Sequence, residues 1–372
     1  MAVNAIFFIN GFLHANLASR LPRLQEIFNL SNGTLGLILL STSIGAVFAM
    51  PFTGWLIIQN GSRKIGIISI FAYCIFFPLV TLMPGIPGLM SLFFMMGITA
   101  GMLDVSMNAQ AVMIERGMGK PIMTSFHALF SIGMAAGALS GALFESFTFS
   151  LFQHLSLITA ACLLAAFWVR YFLIHDKPES KGEGPAFQLP NAAMVSIGVI
   201  AFCCMLGEGA MADWSTNYME KITLAPAALA PIGLSAFALA MTTGRVFGDR
   251  ARAEFGDKKL MVVCGLTACM GLSLSILWNE PIPVIGGFFL VGLGLSVIVP
   301  IAYSIAGNSS SVSPGVGLAM VTTVGYSGFL FGPPIIGFLA DWKTLRFALI
   351  FVACLFMIMT FLSYRYKNPD SK

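Results

Sequence analysis

Long apolar runs recur from one end of this 372-residue chain to the other, broken only by short polar or Pro/Gly-containing stretches. A helix needs about 20 such residues to cross the roughly 30 Å hydrocarbon core of a bilayer. Splitting the chain at its breaks gives twelve candidate spans: 3–24, 34–58, 65–83, 87–114, 122–144, 152–174, 192–217, 229–250, 259–278, 283–307, 315–340 and 345–364. Only 10% of residues are charged, where a soluble domain carries about 25%. Mean hydropathy is +0.87. Short alternating segments of the transmembrane-barrel kind are missing from the sequence. The expectation is an all-α polytopic membrane protein with twelve transmembrane helices. The first run starts almost at Met1, without a basic leading region or a small-residue cleavage site, so it is expected to be a retained span.

The same pattern narrows function. Cys74, Cys162, Cys203, Cys204, Cys264, Cys269 and Cys354 all fall in apolar runs, and none forms a C-x-x-C pair. They read as small packing residues, with no disulfide framework, metal site or cofactor expected. His14, His127, His154 and His175 are scattered, with no metal-ligand spacing, so an enzyme is not expected. No loop or tail is long enough for a receptor's output domain. The net charge of +4 is spread over short loops and does not point to nucleic acid.

The longest polar stretch is "HDKPESKGEGP", 175–185. It divides an N-terminal bundle, 1–174, from a C-terminal bundle, 192–372, with 175–191 as linker. The halves look duplicated. One offset of 195 residues pairs Gly61 with Gly256, Arg63 with Lys258, Lys64 with Lys259, Gly97 with Gly292, Gly133 with Gly328 and Gly137 with Gly332. Two six-helix bundles related by a pseudo-two-fold axis along the membrane normal suit a transporter. With an even number of spans, fifteen of the twenty basic residues fall on the side of the termini and linker, and five on the other. The excess of Lys and Arg predicts that both termini are cytoplasmic.

With so few charges, each one inside a span calls for a reason. Asp104 lies in "AGMLDVSMNAQAV", twelve residues before Arg116 and so roughly 18 Å deep. Asn108 and Glu115 fall within about 40° of the same helix direction and extend it into a polar stripe. A charged Asp104 facing lipid would cost at least about 2.5–3.5 kcal/mol, so it should face the bundle interior or a wet cavity. There it reads as a coupling or substrate group, or as a structural acid bonded to a neighbouring helix. A second cluster, "LGEGAMADWSTNY", carries Glu208 roughly 22–24 Å from the cytoplasmic start of its helix, with Asp213 and Trp214 nearer the far side. Asp213 points about 140° from Glu208, toward a different neighbour. It reads as a site residue, or with Trp214 as an interfacial anchor.

In the first span, Asn10 and His14 share one side, and Asn16 and Arg20 another. Arg20 suits a hydroxyl-rich or anionic solute, a pair with Glu208 or Asp213, or snorkelling to the surface. His14 and His127, the latter in "SFHALFSIG", suit either proton handling or plain hydrogen bonding. Tyr303 and Tyr326 offer hydroxyls without net charge, or packing.

Two basic turns, "GWLIIQNGSRK" (54–64) and "GRVFGDRARAEFGDKK" (244–259), resemble the loop signature of the major facilitator superfamily. In that family, Gly, an acid and basic residues lock the cytoplasmic gate. Ile58 stands where the first-half signature usually has Asp, which leaves Arg63 and Lys64 without that local partner. The resemblance implies gating roles for Arg63, Arg245, Asp249 and Arg250. More narrowly, "RLPRLQE", "GMLDVSMNAQ", "SFHALFSIG" and "LGEGAMADWS" resemble the branch containing fucose permease and the MosC-like proteins. That implies a central cavity, alternating access and, on Asp104 or Glu208, the proton of a coupled transporter.

The expected function is secondary transport of a small polar solute of the sugar, inositol or amino-sugar kind across a bacterial inner membrane. Substrate and protons are the expected partners, the lipid bilayer the medium and a monomer the expected unit. Efflux of amphipathic compounds, suggested by 33 Phe and 22 Met, is the alternative.

Overall fold

Lipid offers no hydrogen bonds to a peptide group, so a chain that crosses it must satisfy its backbone within each segment. The computed structural model describes residues 1–118, 122–176, 192–307 and 314–366, and the described residues fold almost wholly into helices. The N-terminal bundle holds α1 (Ala2–Ala18), α2 (Leu21–Phe28), α3 (Asn32–Asn60), α4 (Ser62–Leu79), α5 (Ile86–Met118), α6 (Met123–Ser146) and α7 (Leu151–Val169). The C-terminal bundle holds α8 (Ala192–Lys221), α9 (Pro231–Phe255), α10 (Asp257–Leu277), α11 (Pro281–Leu295), α12 (Ile298–Gly307), α13 (Pro314–Trp342) and α14 (Leu345–Arg365). Most of the linker, 177–191, lies outside the described residues.

Among the described residues, fourteen α-helices make twelve rods. The first rod bends between α1 and α2 at Ser19–Arg20, and the tenth is interrupted between α11 and α12 at Ser296–Val297. Among the described residues, ten membrane-length apolar spans stand out by length and hydropathy. The other two rods are the one begun by the 17-residue α1 and the one formed by α9, whose last part carries Arg245, Asp249, Arg250, Arg252 and Glu254. The sixth rod ends its helix at Val169, earlier than the apolar run suggests. Residues 170–176 leave the helix as a turn that carries Arg170 and Asp176. Helix starts are fixed by local chemistry. Ser31 accepts the Thr34 amide at 3.1 Å, and Ser150 with Gln153 forms a reciprocal capping box.

The two bundles repeat each other's packing. α5 lies against α3 as α11 lies against α9, and α6 against α1 as α13 against α8. A Cβ on Gly97 would collide with the carbonyl of Thr42, and one on Gly292 with the carbonyl of Phe237. Thr42 and Phe237 are themselves 195 apart, so the duplicated glycines mark the same close helix crossing in each half. Gly61 and Gly256 share a second role. Both have positive φ, 81° and 73°, at the sharp turns that start α4 and α10.

The bundles meet along α3–α13 and α6–α9, with α1 and α2 touching α8. On the side away from the linker this seam is pinned by polar ties. Arg23 pairs with Glu220, and Lys221 Nζ donates to Gln25 Oε1 at 2.5 Å. Asp341 accepts the backbone N–H groups of Asn32 and Gly33 at 2.9 and 2.8 Å, placing an anion on the N-terminus of α3 from the other bundle. On the linker side, among the described residues, neither α5 nor α12 packs against the opposite bundle. The described polar ties therefore hold the seam together on the far side.

This arrangement sets a prediction. Glu220→Gln combined with Asp341→Asn removes two far-side ties, each worth about 1 kcal/mol or more, and should raise the far-side-open population about tenfold or more. The readout is labelling of Thr42→Cys by an impermeant maleimide, since Thr42 lines the far-side pocket described below. Equal labelling rates with and without the double substitution would show that these ties do not hold the seam.

Candidate functional site

α5 and α8 bring one deep acid each to the space between the bundles. Asp104 sits half-buried on α5, and Asn108, one turn on, donates its amide to the Asp104 carbonyl at 2.9 Å and to Oδ1 at 3.2 Å. Among the described residues no Arg or Lys forms an ion pair with Asp104. Glu208 on α8 is paired. Arg245 Nη2 from α9 lies 3.2 Å from Glu208 Oε1, and these side chains are only 15% and 19% exposed. The other arm of the guanidinium, Nη1, crosses to the N-terminal bundle and donates to Ser131 Oγ at 2.6 Å.

Other predicted residues surround this pair. His127 lies one turn before Ser131, stands edge-on to Phe7 with ring centroids 5.3 Å apart, and is within electrostatic reach of Arg245. Tyr326 on α13 is within electrostatic reach of both Asp104 and Glu208, acids from opposite bundles. Tyr303 on α12 places its hydroxyl 3.8 Å from Met205 Sδ and within reach of the Glu208 charge. Asn10 on α1 approaches Met107 Sδ at 3.8 Å, on the helix that carries Asp104.

Nearer the far side lies a pocket of about 100 Å³. His14, Thr42, Ser43, Tyr73 and Asp213 supply its polar groups, and Leu17, Leu21, Leu39 and Phe93 help to wall it. His14 and Asp213, from opposite bundles, thus share one compartment, a juxtaposition that helix geometry alone did not give. Neither hydrogen-bonds to another described residue.

Several residues expected at the site are held elsewhere. Asn16 is fully buried, donating to Phe12 O at 2.7 Å while its Oδ1 meets His154 Nε2 at 2.8 Å. Arg20 pairs with Glu145 at 2.9 Å and donates to Phe149 O at 3.0 Å, not with Glu208 or Asp213. Trp214 is fully buried and is no interfacial anchor. Glu115 does not extend the Asp104 stripe into the cavity; it accepts the Ile122 and Met123 amides at 2.8 Å and caps α6.

The loop residues also divide. Asp249 and Arg250 are exposed at the linker-side end of α9, while Arg245 lies deep with Glu208. Arg63 donates Nη2 to the Arg170 carbonyl at 2.9 Å. The acid missing at Ile58 is supplied from a distance. Asp176 accepts the Ser62 and Arg63 amides at 2.5 and 3.2 Å, over the N-terminus of α4. Burial pushes the Asp176 carboxyl up, but hydrogen bonds from Ser62 and Arg63 outweigh it and hold the group below the usual carboxylate range. In the second half the acid is local. Asp257, the counterpart of Ser62, opens α10 and receives Arg252 Nε at 2.6 Å.

Sequence reasoning passed over Ser131, Thr42, Ser43 and Tyr73. Ser131 had a signal, lying one turn after His127 in the quoted "SFHALFSIG". The other three carry none, because Ser, Thr and Tyr are ordinary inside spans.

Two six-helix bundles with acids facing a shared seam form a transporter architecture, and the family comparisons agree. The model of the Major Facilitator Superfamily matches residues 3–250 and 197–372. The chain belongs to the Major Facilitator Superfamily. It is 34% identical to an uncharacterized MFS-type transporter of Yersinia pestis over 359 residues, covering 94% of this chain and 91% of that one. It is 31% identical to the membrane protein MosC of Rhizobium meliloti over 359 residues, covering 96% and 88%. Among solved structures, a mutant of the nucleoside transporter NupG superposes with a TM-score of 0.80 over 98% of both chains at 12% identity. The protein is thus a multi-pass membrane transporter of this superfamily, not an enzyme.

Proposed function

We propose that this transporter moves a small hydroxyl-rich solute together with a proton, by alternating access between its two bundles. One observation carries the reading. Two deep acids, one from each bundle and both within electrostatic reach of Tyr326, differ in electrostatic state: among the described residues Asp104 has no cationic partner, while Glu208 is paired with Arg245. An unpaired intramembrane carboxylate is costly while charged, so taking up a proton before the bundles close around it lowers the barrier to that closure. A ligand shifts the two-state equilibrium only through unequal affinity for the states, and a proton on Asp104 supplies that inequality.

The surrounding groups suit hydroxyls better than a strong charge. Tyr326, Tyr303, Asn108 and Asn10 donate or accept without net charge, and Glu208 with Arg245 presents a paired acceptor and donor. Asn16, Arg20 and Trp214 are left out of the binding set because they are committed or buried within their own bundles. His14 and Asp213 line a second compartment reached when the far side opens. The linker side, with fifteen of the twenty basic residues, is assigned to the cytoplasm of a bacterium.

The test is uptake into proteoliposomes of the purified chain, with and without an inward proton gradient. Sugars, inositols, amino sugars and small acids make up the panel, and nucleosides join it because NupG is a nucleoside transporter. One hydroxyl-rich class should accumulate only with the gradient and leak back on adding a protonophore. Gradient-driven extrusion of amphipathic dyes, with no solute accumulated, would replace this reading with efflux.

A further inference from the structure

A basic notch lies outside the transport path, on the outer wall of the N-terminal bundle. α4 and α7 pack on each other and on their own bundle, and among the described residues neither packs against the C-terminal bundle. Where the start of α4 meets the turn after α7, they enclose a cavity of about 540 Å³. Arg63, Lys64, Arg170 and His175 line it, with Asp176 as the one carboxylate among the described lining residues and Ile67 and Ile68 as apolar wall.

Among the described residues the cations of this notch, Arg63, Lys64 and Arg170, are not ion-paired. Their hydrogen bonds go to neutral acceptors: Arg63 to the Arg170 carbonyl, Lys64 Nζ to Asn60 Oδ1 at 3.2 Å, and Arg170 Nη2 to the Tyr171 hydroxyl at 2.6 Å. The Arg170 guanidinium is further held over the Phe167 and Tyr171 rings, 4.1 and 4.7 Å from their centroids. The Asp176 carboxylate is taken up by the Ser62 and Arg63 amides. Among the described residues, three cations from two elements thus surround one space, with one acid to set against them.

The notch also opens at the right height for a lipid. α4 exposes Ile68 and Ile75, seven residues apart on one face, and α7 exposes Leu157, Leu164 and Trp168. These apolar stripes run into the hydrocarbon region from the helix ends that carry the basic groups. A headgroup phosphate in the notch would leave its acyl chains lying on these faces.

We propose that this notch is a binding site for the phosphate of an anionic phospholipid from the linker-side leaflet. Clusters of Lys and Arg at the end of a span attract anionic headgroups. Arg offers a planar fork that matches phosphate oxygens.

The probe is dioleoylphosphatidylglycerol, titrated into the full chain in detergent and followed by native mass spectrometry, with dioleoylphosphatidylcholine as the zwitterionic control. Phosphatidylglycerol should be retained in preference. Lys64→Gln should weaken retention about fivefold, and Arg63→Gln with Lys64→Gln about twenty-fivefold. Lys64 is exposed and bonds only to Asn60, so its variant keeps the test open if the double substitution does not fold. Equal retention of the two lipids, or no change in Lys64→Gln, would overturn the site. Thermal shifts with inorganic phosphate separate the two sources of this chemistry. Stabilisation by the free ion equal to that by phosphatidylglycerol would make this an ion site and overturn the lipid assignment.

Discussion

Asp104→Asn should abolish proton-driven accumulation while leaving exchange of solute for solute intact. The amide has the shape of the protonated acid and none of its charge, so the variant is locked in the loaded electrostatic state. Asn108 can still donate to the side-chain oxygen, as it does now at 3.2 Å. Exchange needs only the loaded carrier to change sides, which the neutral variant can do. Accumulation needs the proton to leave on the low-proton side, which it cannot. With one proton per solute, each pH unit drives about tenfold accumulation, so the wild-type ratio should rise tenfold per unit while the variant stays at one. Asp104→Glu keeps the carboxyl and should retain part of the gradient response. Undiminished accumulation by Asp104→Asn would remove this residue from the coupling and leave Glu208 or Asp213 to carry it.

How far the sequence spoke for the molecule depended on whether a residue's role was set by its own segment. The rods were legible because lipid imposes one rule on every span. The observed helices follow the apolar runs closely, as in Asn32–Asn60 against 34–58 and Leu345–Arg365 against 345–364. The bend at Ser19–Arg20 and the break at Ser296–Val297 were passed over, although Pro22 and Pro300 stand in the first turns of α2 and α12 and lack the N–H that would bond back to Ala18 and Ser296. The repeat was readable from glycines because close helix crossings admit little else, as Gly97 and Gly292 show. Pairings between elements were not. For Arg20 one expectation was a pair with Glu208 or Asp213, and it pairs with Glu145 of its own bundle instead. Asn16 looked like a cavity amide until α7 brought His154 beside it. The acid absent at Ile58 returns as Asp176, more than a hundred residues away, which no local motif could signal.

The second large effect concerns Arg245. It sits between an acid of its own bundle, 3.2 Å away, and Ser131 of the other bundle, 2.6 Å away. Removing one partner of a buried ion pair leaves the other charge uncompensated, at a cost of about 3–5 kcal/mol. These side chains keep 15% and 19% of their surface, so the lower end applies, about 3 kcal/mol. Arg245→Gln should therefore lower the thermal midpoint in detergent clearly, and Arg245→Gln with Glu208→Gln should recover most of the loss, because no bare charge remains. Transport should follow the opposite rule. The double variant has lost both the acid facing Tyr326 and the charged tie to Ser131, so it should fold and still fail to accumulate solute. That split separates the pair's part in holding the bundle from its part in moving the cargo. If the double variant is no more stable than Arg245→Gln alone, the guanidinium is needed for its bond to Ser131, and the link between the bundles outweighs the ion pair.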